Sequence, residues 1–164
     1  MTYIKSILKG ILIGSIAVFI ASSVEAQSFD ITKHPQEHCM ALNVYYEARS
    51  SNLADKYAVA DVVLNRVQDT RYPNTVCEVV KDGYRKGRRD CQFSWYCDGK
   101  KDNPSDIDHW KEAQMIAWSI IHWDKMRGIT EGATHYHANY VDPYWAKSLQ
   151  MVGRIGAHIF YRWE

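Results

Sequence analysis

Residues 36–69 read QEHCMALNVYYEARSSNLADKYAVADVVLNRVQD, and this stretch predicts two successive helices joined by a short polar turn. In the first helix, over residues 36–49, apolar and aromatic side chains recur at the three- and four-residue spacing of one helix face. The second helix, over residues 53–69, follows the same spacing and leaves Asp55, Lys56 and Asn65 on its solvent face. Two adjacent amphipathic helices indicate a core built largely from helices.

Two further helices are predicted after this pair. Thr75 and Glu78 have the spacing of a capping box, which begins a short helix over residues 75–80. A longer helix over residues 107–127 has apolar side chains at helical spacing, and Ser105 can act as its N-cap. We expect this longer helix to lie at the centre of the core.

Short strands are predicted in the second half of the chain. Residues 91–97 alternate, with two aromatic side chains on one side, and this predicts a strand. Residues 134–139 and 155–163 are aromatic and β-branched and predict two or three short strands. The sequence therefore predicts an α+β fold, a helix-rich single domain with a small antiparallel sheet.

The composition is that of one globular domain. A chain of 164 residues can bury a core by itself. Its content of 46% hydrophobic and 24% charged residues excludes both a disordered chain and a multi-span membrane protein. The formal net charge of +1 supplies no basic face for nucleic acid. We therefore expect no nucleic-acid partner, and we expect a monomer.

Residues 1–26 have the pattern of a secretory signal. A basic start precedes an uncharged apolar run over residues 11–20, and residues 24–26 resemble the small-residue pattern of a cleavage site. We expect cleavage after Ala26, which leaves residues 27–164 as one folded domain of a secreted or periplasmic protein. An uncleaved membrane anchor is the alternative, although the apolar run is short for a spanning helix.

The four cysteines, Cys39, Cys77, Cys91 and Cys97, all follow the predicted signal. An even number of cysteines in an exported chain favours disulfides. Four cysteines allow three pairings, and the sequence does not choose among them. A zinc site at Cys91 and Cys97 is the alternative, but the pair lacks the usual C-x2-C spacing.

Glu47 is a candidate for acid catalysis, because it lies between Tyr46 and Ala48 on the apolar side of the first helix. A buried charged carboxylate is costly without partners. One interpretation is a structural salt bridge to Arg49 or Arg66. The other is a carboxyl whose pKa is raised by apolar and aromatic neighbours, so that it can donate a proton to a leaving oxygen.

Five ordered motifs carry a resemblance to a known family. They are NVYYEAR at 43–49 with AVADVVLNRV at 58–67, YPNTVC at 72–77, CQFSW with CDG at 91–99, GATHYH at 132–137, and closing residues Pro143, Trp145, 155–156 and 158–161. In this order they resemble the SleB-like cell wall hydrolases over nearly all of the chain after residue 37. The family follows the Y-x-E-A-R block with Gly and an acid, where this chain has Ser50, Ser51 and Asn52.

The resemblance implies a spore cortex-lytic type of domain, related to lysozyme-like transglycosylases, with Glu47 as the catalytic carboxyl. Its substrate would be peptidoglycan, with no cofactor or metal. A two-carboxylate glycosidase needs a second acid, yet Asp61, Asp98 and Glu131 fit better as surface, capping or turn residues. With Glu47 alone, the muramyl hydroxyl can attack while the same carboxyl acts as acid and then as base. That reaction is lytic transglycosylation.

Six residues are predicted to contact the substrate. Gln92, Ser94 and Tyr136 would hydrogen-bond sugar and acetamide groups. Phe93 or Trp95 would stack on a sugar ring, and His137 would line the groove beside Tyr136.

Two other functions are considered. His135, His137 and His158 could form an open zinc site, which would make the chain a metal amidase that cuts the peptide stem. No H-E-x-x-H motif accompanies them. The second is a secreted wall-binding protein without turnover, and the intact Y-x-E-A-R block counts against it.

Overall fold

The fold is given by a computed structural model that describes residues 30–85 and 90–164. The expected signal, residues 1–26, lies outside these ranges. Within them the helices are α1 (Pro35–Ala48), α2 (Leu53–Gln68), α3 (Val76–Val80) and α4 (Ile107–Trp123), and the strands are β1 (His135–Ala138), β2 (Gln150–Ile155) and β3 (His158–Arg162). The predicted helix-rich α+β fold is confirmed. No helix of the described ranges is both long and apolar enough to cross a bilayer.

The helix α2, and not α4 as predicted, lies at the centre of the fold, because it packs against α1, α3, α4 and the sheet. For this reason the predicted solvent face of α2 is wrong. Asp55 is completely buried, Lys56 is buried and pairs with Glu112 at 2.6 Å, and Asn65 donates a hydrogen bond to the Ala133 carbonyl at 2.9 Å. Hydrophobic spacing identified the helix, but polar residues here face other elements and not water.

The ends of the helices follow local capping. Thr75 is confirmed as the N-cap of α3, since its Oγ1 accepts from the Glu78 amide at 3.3 Å and donates to Glu78 Oε2 at 2.7 Å. Asp106 caps α4 in place of Ser105, because its Oδ1 accepts from the His109 amide. The helix α4 ends at Trp123, earlier than predicted, because Asp124 has a left-handed φ of 49° that stops the helix.

The three strands form one antiparallel sheet in the order β1-β3-β2. In the register, Tyr136 lies opposite Phe160 and Ala138 lies opposite His158. A two-residue turn at Gly156 and Ala157 connects β2 to β3. The strand β2 continues through Gly153, with a bulge between Met151 and Gly153, so this glycine does not end the strand.

The predicted strand at residues 91–97 is wrong. Ser94–Cys97 is a short 3-10 helix, and a disulfide joins Cys91 to Cys97 with their Cα atoms 6.1 Å apart. An extended segment of this length would span about 20 Å, so the crosslink excludes a strand. A second disulfide joins Cys39 of α1 to Cys77 of α3. The paired cysteines also overturn the alternative of a zinc site at Cys91 and Cys97.

Two hydrophobic clusters position the site. The larger one fills the space between α1, α2 and α4, with Met40, Val44, Val63, Ile116 and Ile120 among its fully buried side chains. The smaller cluster lies where the sheet packs on α2, around Ala58, Val62, Ala133 and Phe160. The last turn of α1 lies beside the junction of the two clusters, where Tyr136 contacts both.

Candidate active site

Glu47 lies in the last turn of α1 and is partly buried against the sheet. The hydroxyl group of Tyr136 donates a hydrogen bond to Glu47 Oε2 at 3.1 Å. Burial raises the pKa of the Glu47 carboxyl, and this effect outweighs the Tyr136 hydrogen bond and the positive charges of His158 and Arg66, which lower the pKa. A carboxyl with a raised pKa keeps its proton to higher pH than an ordinary glutamate does, which suits it to deliver that proton as an acid.

Arg49 and Arg66, the two arginines considered as salt-bridge partners of Glu47, bind other groups. Arg49 Nη1 donates to the Tyr45 hydroxyl at 3.0 Å, and its guanidinium lies over the Tyr45 ring. Arg66 is buried, donates from Nε to the Thr134 carbonyl at 2.7 Å, and lies against the Phe93 ring. In the described part of the chain, neither arginine forms an ion pair with Glu47.

Asp55 and His158 form a buried pair beside Glu47, a pairing that the sequence pattern did not predict. His158 Nδ1 donates to Asp55 Oδ1 at 2.8 Å, and the Ala157 amide donates to Asp55 Oδ2 at 3.0 Å. Gly156 leaves room for this carboxylate, because a Cβ there would lie 2.7 Å from Asp55 Oδ2. Alternation along β3 could have revealed His158, since it shares the buried face of the strand with Phe160.

An open cleft of about 210 Å³ lies beside Glu47. It is lined by the end of α1 and the turn after it, by the end of β1 with the following loop, and by the start of β3: residues 46–51, Ala138, Tyr140, Ala157 and His158. Tyr140 is 85% exposed, which is unusual for so large a ring and leaves one face open to a ligand. Glu47 and His158 therefore share one cleft with an exposed aromatic side chain.

Two of the predicted stacking residues belong to the core. Phe93 is only 2% exposed and packs against Arg66. Trp95 is 8% exposed, donates from Nε1 to Asn43 Oδ1 at 3.1 Å, and stacks on Tyr46 at 4.9 Å between ring centroids. The prediction that Phe93 or Trp95 offers a free face to a sugar is therefore wrong.

The other predicted contacts lie in different places. Tyr136 reaches Glu47 directly. Gln92 and Ser94 are exposed, but they lie outside the residues that line the cleft. His137 points to the opposite face of the sheet from Tyr136, because neighbouring residues of a strand alternate. There His137 stacks on Tyr161 and packs against Trp145, so it does not line the groove predicted beside Tyr136.

The three histidines of the proposed zinc site do not converge. His137 uses Nδ1 on the Ala138 carbonyl at 2.9 Å and Nε2 on the Tyr161 hydroxyl at 2.9 Å. His135 is packed between Trp145 and Trp163, and burial lowers its pKa to about 4. His158 lies on the other face of the sheet and binds Asp55. Among the described residues, no three His, Cys, Asp or Glu side chains are grouped as metal ligands.

The three candidates for a second carboxylate lie outside the residues that line the cleft. Asp61 is completely buried and so is not a surface residue; it accepts from Arg127 and from the amides of Gly128 and Thr130. Asp98 accepts from the Lys100 amide at 2.8 Å, as a turn residue does. Glu131 is exposed with a φ of 50°.

The chain is similar to a known family of cell wall hydrolases and to solved structures. A family model described as cell wall hydrolase matches residues 50–161, a segment that begins just after Glu47. The catalytic domain of the Bacillus cereus SleB protein is similar, with 28% identity and a TM-score of 0.59, covering 79% of this chain and 91% of that chain. The catalytic domain of the germination-specific lytic transglycosylase SleB from Bacillus anthracis is also similar, with 29% identity and a TM-score of 0.57, covering 77% and 93%. No curated protein sequence matches the chain.

Proposed function

The chain belongs to the cell wall hydrolase family, and from this premise we propose that it cleaves the glycan strand of peptidoglycan as a lytic transglycosylase in which Glu47 is both acid and base. The observation that carries this proposal is the environment of Glu47. Its carboxyl lies on an open cleft, burial raises its pKa, and Tyr136 fixes one of its oxygens. Among the residues that line the cleft, Glu47 is the one carboxyl group.

The first step breaks the glycosidic bond. The protonated Glu47 donates its proton to the glycosidic oxygen between muramic acid and the next sugar, and the bond from that oxygen to the muramyl C1 breaks. The departing sugar leaves with a new hydroxyl group, and positive charge develops at C1. Glu47 remains as a carboxylate that the Tyr136 hydroxyl stabilises.

The second step closes a ring on the muramyl residue. Its own C6 hydroxyl attacks C1, forms the new C–O bond, and returns its proton to the Glu47 carboxylate. The product carries an anhydro end, and Glu47 is protonated again. A single carboxyl is sufficient for this reaction, because no water molecule has to be activated by a second acid.

We also propose that the protein acts outside the cytoplasm, as a monomer and without nucleic acid, after removal of residues 1–26. The two disulfides support export, because such bonds persist in oxidising compartments. The mass of the protein recovered from an exporting host tests this, since cleavage after Ala26 and an uncleaved anchor give different masses.

Mass spectrometry of the soluble products from purified peptidoglycan tests the reaction. We expect muropeptides with an anhydro end. A reducing end would identify a hydrolase, and a free peptide would identify an amidase. Excess EDTA should leave activity nearly unchanged, whereas a zinc enzyme would lose its activated water. Lysis that EDTA abolishes and stoichiometric zinc restores would overturn the proposal.

A further inference from the structure

A lone catalytic carboxyl must spend part of each cycle as an anion in a partly buried position. Such an anion requires a partner, because burial of an unpaired charge is costly. His158 is placed to serve Glu47 in this way, since both residues line the same cleft. Tyr136 contacts both, through its hydroxyl to Glu47 at 3.1 Å and through its ring to the His158 ring at 5.1 Å between centroids.

Asp55 fixes the orientation of His158. Because Nδ1 of His158 is used by Asp55, Nε2 is the ring nitrogen left for the cleft. Burial by itself would raise the pKa of Asp55, but hydrogen bonds from His158, the Ala157 amide and Ser51 lower it overall. Asp55 is therefore ionised at neutral pH, and a completely buried carboxylate is balanced best by a positive partner.

We propose that His158, oriented by Asp55, is the positive charge partner of Glu47 while Glu47 is ionised between the two steps. This inference rests on the proposed function, and His158 acts through Glu47 as a positioning residue. No proton leaves His158: the Glu47 proton moves to the glycosidic oxygen and is replaced from the muramyl hydroxyl. The charged or titratable groups that face this pair are Arg66 from α2 and Tyr136 from β1.

The charge of Glu47 can be measured directly. In protein labelled with ¹³C at the glutamate carboxyl, the Glu47 signal is assigned by its absence from Glu47→Gln. We expect His158→Gln to raise the pKa of Glu47, because the positive charge of His158 lowers it. The matched control is His122→Gln, which breaks the Glu37–His122 pair about 15 Å away along α1 and should leave the Glu47 titration unchanged. An unchanged Glu47 titration in His158→Gln overturns the inference.

Kinetics supply a second readout. In His158→Gln the basic limb of kcat/KM should move to higher pH, and kcat should fall about tenfold with KM nearly constant. Asp55→Asn should change both quantities in the same direction. A purely structural role would lower the amount of folded enzyme without moving the pH limb. If the wild type releases no anhydro products, the proposed function fails, whereas overlapping profiles in an active enzyme overturn only the role of His158.

A measurement on the wild type avoids any folding defect of the variants. ¹⁵N spectra of the imidazole rings distinguish an imidazolium, with both nitrogens protonated, from a neutral ring. The proposal requires both ring nitrogens of His158 to be protonated in the active enzyme. Detection of a neutral His158 ring at the pH of maximal activity overturns the proposal, whatever the stability of the variants.

Discussion

The hydroxyl group of Tyr136 donates a hydrogen bond to Oε2 of Glu47 at 3.1 Å, and the two residues are 89 positions apart in the chain. This bond joins the last turn of α1 to the edge strand β1. The small sheet therefore determines how one carboxyl oxygen is held. The other oxygen has no hydrogen-bond partner among the described residues, and we expect it to deliver the proton.

Glu47→Gln should abolish wall lysis while preserving the fold. The amide keeps the shape of the side chain but has no proton to transfer, so the rate should fall by about 100-fold or more. Turbidity of a peptidoglycan suspension measures the rate, and circular dichroism checks the fold. Glu37→Gln is the matched control, because Glu37 is a glutamate of the same helix that does not line the cleft. A Glu47→Gln variant with most of its activity would remove Glu47 from the mechanism.

Tyr136→Phe should make the Glu47 carboxyl a weaker acid. The hydrogen bond from Tyr136 stabilises the ionised carboxylate and lowers its pKa, so its loss raises the pKa of Glu47 further. The protonated form then persists to higher pH, and the basic limb of kcat/KM moves upward. Tyr161→Phe is the control, since the Tyr161 hydroxyl binds His137 on the other face of the sheet. Superimposable profiles for Tyr136→Phe and wild type would contradict this coupling.

Tyr140→Ala should weaken substrate binding. Tyr140 lines the cleft and is 85% exposed, so its ring is available to stack on a sugar. We expect KM for soluble glycan fragments to rise about tenfold, with a smaller change in kcat. Tyr144 is 91% exposed but does not line the cleft, and Tyr144→Ala should leave KM unchanged. Equal effects of the two variants on KM would show that binding depends on the exposure of a tyrosine and not on its position in the cleft.

The two disulfides should differ in their effect on stability. Cys39 and Cys77 are 38 positions apart, whereas Cys91 and Cys97 are 6 apart. Loop-closure entropy predicts that removing the first bond costs about 4 kcal/mol and removing the second about 2 kcal/mol. Urea unfolding of the two double-alanine variants measures the difference.

Thiol counting on denatured wild-type protein should detect no free thiol, and four free thiols after production outside the cytoplasm would rule out both bonds.

Asp61→Asn should destabilise the domain and leave the chemistry intact. Asp61 is completely buried and accepts from Arg127 and from the amides of Gly128 and Thr130. Breaking a buried pair of this kind costs about 3 kcal/mol. The rate per folded molecule should stay near that of the wild type, because Asp61 does not line the Glu47 cleft. Loss of turnover in a folded Asp61→Asn variant would instead make it the second carboxylate.

Local patterns predicted the helices and the strands β1 and β3, but they did not predict which elements pack against one another. The apolar spacing of residues 36–49 and 53–69 depends on each helix alone, and α1 and α2 match it closely. The prediction that Asp55 faces solvent failed because α2 is surrounded on several sides, which its own period does not report. Residues 91–97 failed because a crosslink between their ends overrides the alternation of Phe93 and Trp95.

Only part of the candidate site could be predicted from the sequence, chiefly Glu47. The helix pattern left Glu47 open between a salt bridge and an acid, and the family motifs around Glu47 and Tyr136 are what predicted a role for both. The pairing of Asp55 with His158 was not predicted, because it joins positions 103 apart and a first-turn aspartate is common in helices. Tyr140 was not predicted as a site residue, because it lies after the GATHYH motif and its exposure depends on the path of the loop after β1.

The absence of a side chain at Gly156 limits which mutations the chain can accept. At Gly99 and Gly128 a Cβ would meet no atom within 4 Å. The obstacle to a substitution there is the positive φ, a backbone conformation that asparagine tolerates. At Gly156 even a methyl group would displace Asp55 and release the ring of His158. Random variation can therefore slow turnover through a position that carries no reactive group, and such a variant would look like an active-site mutant although its change lies in a hairpin turn.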